Sequence, residues 1–150
     1  MATPTYDDIK ALDFGYLTGA NLLQWCPGQF LIKQYIQDND AIATGVAMAY
    51  QEVIADLSSR YDINSEFAKT GSSRFMVVVK ITSVMAIRNI LGNSSGMPEV
   101  VIKHFDWLDV TIKAIRNGQL SLPSVKIPDP ATQAAPSDII LTPSSFNTLS

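Results

Sequence analysis

Apolar residues recur at three- and four-residue intervals over much of this chain. In AIATGVAMAYQEVIADLSSRY, Ala41 to Tyr61, the residues Ile42, Val46, Ala49, Tyr50, Val53 and Leu57 share one face, which predicts an amphipathic helix with Asn39 or Asp40 as its cap. Asp56 and Arg60 form an i,i+4 pair on its other side. After a break over 64–71, SRFMVVVKITSVMAIRNIL begins at Ser72 or Ser73. Its three consecutive valines favour a strand, but about 19 residues without Gly or Pro exceed an ordinary strand and predict a helix ending at Gly92. It has two apolar stripes, one with Phe75, Val78, Val79, Thr82, Met85 and Ala86, the other with Val77, Ile81, Val84 and Leu91. A helix apolar on two sides is either central in its domain or shared with a neighbouring subunit. Val77, Ile81 and Val84 are therefore candidate subunit-interface residues. A third helix is predicted over Pro98 to Asn117, with Val101, Phe105, Leu108, Ile112 and Ile115 as its core stripe and Gly118 closing it. Glu99–Lys103 and Asp109–Lys113 are its i,i+4 pairs.

The pattern is weaker at both ends. Thr5, followed by Asp7 and Asp8, predicts a capped short helix over Tyr6 to about Leu12. Between Phe14 and Asp40, Gly15, Gly19, Pro27 and Gly28 break any long helix, and Gln29 to Gln37 reads as helix or strand. Five aromatic residues fall here: Phe14, Tyr16, Trp25, Phe30 and Tyr35. The segment is either a loop packed on its own domain or a docking loop, with Trp25, Phe30 and Tyr35 as its candidate docking residues. After Leu122, five of the chain's eight prolines fall between Pro123 and Pro143. Proline at that density excludes helix. Within this arm Asp138-Ile139-Ile140-Leu141-Thr142 is a short β-prone island, suited to pairing with a partner's sheet edge or to strapping its own domain. Ile139, Ile140 and Leu141 join the candidate docking residues.

Composition narrows the function. The 150 residues fit one domain, and 47% hydrophobic with 17% charged residues argues for a packed globule with apolar surface to spare. A formal net charge of −3 supplies no drive toward phosphate backbones. The single cysteine, Cys26, excludes an internal disulfide. The opening MATPTYDDIK lacks the basic stretch and apolar run of a secretory leader, and no apolar run is long enough to span a membrane, so a soluble protein made in the cytoplasm is expected.

Candidate chemistry is sparse. His104 is the only histidine and has no partner set for a metal, and Cys26 beside Trp25 would need His104 as its base to act as a nucleophile. A structural histidine and a small buried thiol are the expected roles. Glu52 and Asp56 read as a solvated helix face, and no phosphate-binding glycine loop is present. Arg74, Lys80 and Arg88 fall on different helix faces. No catalytic residue, metal or cofactor is expected, and the chain reads as a non-enzyme.

Four stretches together carry a family resemblance: TPTYDDIKAL, AYQEVIADLSSRYDI, VVVKITSVMAIRNIL and PEVVIKHFDWLDVTIKAIRNGQLSLP. Over Thr3–Leu12 and Ile42–Pro123 the chain resembles the head–tail connector proteins of tailed bacteriophages, also called adaptor or head-completion proteins, including the Mu-like prophage head-protein family. The segment Phe14–Asp40 is longer and more aromatic than that pattern, and the tail beyond Pro128 is individual to this chain. Periodicity and proline density predict an all-α fold, a small bundle of about four helices over residues 1–122 with an extended Pro-rich arm over 123–150, and the resemblance likewise implies an α-helical protein. It further implies a homo-oligomeric, typically dodecameric ring in the virion, assembled in the host cytoplasm. That ring would bind the portal protein, extend the DNA channel without sequence-specific DNA contacts or membrane contact, and dock the next neck or tail protein. Because the proline-rich arm cannot fold alone yet carries an apolar island, it is expected to become ordered on a neighbouring subunit or on the portal. The competing readings are another neck or tail-completion (stopper) component and a small helical DNA-binding regulator.

Overall fold

A computed structural model describes residues 3–92 and 96–128. The fold is all-α. Its helices are α1 (Tyr6–Lys10), α2 (Gly19–Leu23), α3 (Gly28–Gln37), α4 (Ala41–Leu57), α5 (Ile63–Phe67), α6 (Met76–Leu91) and α7 (Glu99–Arg116), with a 3-10 turn at Gly71–Ser73. Among the described residues the only β-type pairing is an isolated bridge between Asp13 and Thr18.

Helix α6 is the axis of the molecule. It packs most extensively against α4 and also meets α2, α3 and α7, and every residue from Ile81 to Ile87 is buried. Apolar character on two sides, read from the sequence as central or shared, is explained here by neighbours within the chain. Ile81 and Val84 are both 0% exposed. The assignment of Ile81 and Val84 to a subunit interface is therefore corrected: the second stripe faces the chain's own helices, and of that trio only Val77, in the first turn, is half-buried and reaches the surface. The tight α4–α6 crossing depends on Gly45, where an added Cβ would fall 2.4 Å from Cγ1 of Ile90. Any side chain there would push the two helices apart.

Local signals set the ends of the elements. Thr5 and Asp8 form a reciprocal capping box at α1, as the acid-capped opening predicts. Gly118, at φ 76°, ends α7: its N–H donates to Ile115 O (3.1 Å), and the Gln119 N–H donates to Ala114 O (2.8 Å), the paired bonds of a Schellman turn. Glu99 and Lys103 pair at 3.2 Å as expected, whereas Asp109 pairs across helices with Arg88 at 2.8 Å rather than with Lys113.

The region 14–40 resolves as loop, α2 and α3, with Tyr16, Leu17, Leu22, Cys26 and Leu31 in the core. Gln29–Gln37 is helix rather than strand. The break expected over 64–71 holds the short helix α5 and the start of the 3-10 turn. Beyond α7 the chain lies along the body: Leu122 and Val125 are buried, the Leu122 N–H donates to the Tyr61 hydroxyl (2.9 Å), and the Asp62 N–H donates to Lys126 O (2.7 Å). The helical body thus keeps hold of the chain past the boundary expected at residue 122.

Candidate functional site

Two clusters combine aromatic and charged side chains, and they differ in whether their groups are already satisfied. The first is a buried knot. Glu66, on α5, is 1% exposed. Its Oε2 accepts from the Tyr16 hydroxyl (2.6 Å) and from the Phe75 N–H (2.8 Å), and its Oε1 pairs with Lys69 Nζ at 2.9 Å. Arg74 completes the knot, donating to Tyr16 O (2.6 Å), Asn21 Oδ1 (2.8 Å) and Gly71 O (2.8 Å). Tyr50 bridges the same loop, donating to Phe14 O (2.7 Å) and accepting from the Leu17 N–H (3.0 Å). Burial, followed by the Glu66 hydrogen bond, raises the Tyr16 phenol above its ordinary value. Each polar group is consumed in joining the 14–21 loop to α5 and to the start of α6. The arrangement holds the fold and leaves no open position for a substrate.

The second cluster opens to the surface. Gln24, Trp25, Met76, Val77, Lys80 and Trp107 line a shallow, mainly apolar groove of about 470 Å³ between the end of α2, the first turns of α6 and the middle of α7. Lys80 Nζ lies between the two indoles, 4.6 Å from the ring centre of Trp25 and 4.0 Å from that of Trp107. Both distances are within cation–π range. None of the described carboxylates forms an ion pair with Lys80. His104 stands edge-on to Trp25 at 5.4 Å, and partial burial followed by the Lys80 charge lowers its pKa, which favours the neutral ring. Met76 is 53% exposed on the rim. On α7 the exposed Val100 lies two turns before Trp107 on the same side, and Val110 follows one turn after it.

These placements sort the sequence candidates. Trp25 and Val77 meet in the groove, although they were read as parts of two different surfaces. Phe30 and Tyr35 are partly buried against the core from α3. Ile139, Ile140 and Leu141 lie outside the described residues. Cys26 is 2% exposed, and burial pushes its thiol up to about 12, the state of a small apolar filler rather than a nucleophile. Glu52 does not pair with Asp56 as a carboxylate dyad; its Oε1 accepts from Asn89 Nδ2 (2.5 Å). In the sequence Lys80 counts only toward a basic stripe that does not form, and Trp107 carries no mark of its own. A cation four residues after an exposed methionine, at the start of an otherwise apolar helix, was the available signal.

A larger polar cleft, about 680 Å³ between α4, α6 and α7, is lined by Asp56, Arg88, Asp109, Lys113 and Arg116. Its charges are of both signs, and Arg88 is already paired with Asp109, so it selects no ligand charge. Among the described residues no group of three or more His, Cys, Asp or Glu is placed to hold a metal ion, and no helix is long and apolar enough to cross a membrane. Comparison with family models, with curated proteins and with solved structures finds no match for this chain.

Proposed function

We propose that this chain is a structural virion protein of a tailed phage, a ring-forming head–tail adaptor and not an enzyme. In this reading its copies assemble beneath the portal, extend the DNA channel and dock the next neck or tail protein. The observation that carries the reading is the Trp25–Met76–Val77–Lys80–Trp107 groove. Aromatic, methionine and valine side chains remain at the surface there, while the buried polar groups of the knot are used in holding the fold. Aromatic residues and methionine are the types enriched where proteins meet proteins. The order of helical stretches that resembles the connector proteins adds the identity of the assembly. The net charge of −3 suits a conduit through which DNA must pass without being held.

The test is assembly. Native mass spectrometry of the purified chain, alone and with the portal protein of the same phage, should give a closed ring or a ring on the portal. Trp107→Glu should retain the helical circular dichroism spectrum and lose the ring. A wild-type chain that remains monomeric in both settings overturns the adaptor reading, and so does a Trp107→Glu ring of unchanged yield.

A further inference from the structure

We propose that in the free chain the groove is covered by the chain's own tail, through the segment Asp138-Ile139-Ile140-Leu141. The segment's chemistry is complementary to the groove. The surface offers two indoles, a methionine and a valine around one ammonium that no described carboxylate pairs with. The segment offers three consecutive large aliphatic residues directly after one carboxylate. In this arrangement the Asp138 carboxylate pairs with Lys80 and the three aliphatic residues cover the indoles. The groove is walled by helices, and the described residues hold no strand to extend, so the segment docks through its side chains and not by adding to a sheet.

Reach also favours the chain's own tail. The body holds the chain as far as Val125 and Lys126, so the tail departs from a fixed point beside Tyr61 and Asp62. Residues 129–137 lie between the last described residue and Asp138 and extend to about 30 Å. A domain of this size has a radius of gyration of about 14 Å, so a linker of this length spans about one face of it from the point where the tail departs. A segment tethered at that length has an effective concentration on the order of millimolar, far above that of a second copy in dilute solution. The inference goes beyond the adaptor reading and does not depend on it, because it concerns the chain before assembly.

The chain holds two tryptophans, Trp25 and Trp107, and both line the groove, so the emission of the full-length protein reports on this site alone. Ile140→Asp changes only the tail. It should shift tryptophan emission to the red and raise the acrylamide quenching constant while the circular dichroism stays unchanged. Lys80→Glu should do the same, and combining it with Asp138→Lys should restore the wild-type quenching. For the wild type, emission and quenching should hold constant on dilution from micromolar to nanomolar. Emission and quenching unaltered by Ile140→Asp overturn the proposal, and so does failure of the charge exchange to restore protection. Protection that disappears on dilution, together with loss of dimer in sedimentation, overturns it in favour of a second copy. These readouts need no ring, so the adaptor reading can fail while the covered groove stands, and the reverse.

Discussion

The knot around Glu66 and the groove around Lys80 are built from similar parts: a long charged side chain, aromatic rings and residues drawn from distant stretches of sequence. In the knot, Arg74 lies 5.8 Å from the Tyr16 ring centre, and its guanidinium also reaches three acceptors. In the groove, Lys80 lies over two rings and forms no ion pair with a described carboxylate. Hydrogen-bond satisfaction separates the two regions. A buried polar group left without a partner costs about 1–3 kcal/mol, so the knot is closed and structural. In the groove the Lys80 ammonium has no described carboxylate in ion-pair distance and the Trp25 indole N–H is buried without an acceptor, so this region, unlike the knot, still holds groups to satisfy.

The sharpest way to break this comparison is to place a carboxylate one turn apart on α6. Ile81→Asp puts an unpaired charge at a fully buried position and should lower stability by more than about 4 kcal/mol, while Val77→Asp at the surface should cost less than about 1 kcal/mol. Urea denaturation of both variants measures the contrast. Similar midpoints would mean that the central helix is not as enclosed as described. Glu66→Ala should follow at about 3 kcal/mol, because it takes the acceptor from the Phe75 N–H and leaves the Tyr16 hydroxyl only its long 3.5 Å bond to Phe75 O. A loss below about 1 kcal/mol would show that the knot does not hold the fold.

Alkaline pH should separate the regions as well. The folded-state pKa values of the Tyr16 phenol and the Cys26 thiol lie above their ordinary values, 10.0 and 9.0, because burial disfavours the charged forms. Below those ordinary values their contribution to stability is fully present. As pH rises the unfolded chain releases these protons first, so stability falls from about pH 9 toward the value near 12 to which Cys26 is pushed. Thermal unfolding against pH should show this decline flattened in Cys26→Ala and in Tyr16→Phe, and an unchanged slope in both would remove burial as its cause. Lys80→Met should have the smallest effect on stability, about 1 kcal/mol or less, since it removes one cation from two partly exposed rings. A larger loss in urea would place Lys80 among the groups that hold the fold.

The helical character of the chain and the positions of α4, α6 and α7 were legible in the sequence to within a few residues, since periodicity, caps and the stops at Gly92 and Gly118 are local properties of the backbone. The buried thiol at Cys26 was legible for the same reason, from its residue type and lack of chemical partners. What each apolar face meets was not. Val77, Ile81 and Val84 form one stripe in the sequence, yet the last two are fully buried and the first stands in the lining of a groove. The knot joins Tyr16 to Glu66 across 50 positions, and the groove joins Trp25 to Trp107 around Lys80. Periodicity specifies that a face is apolar, and the packing of helices distant in sequence specifies which part of that face remains at the surface.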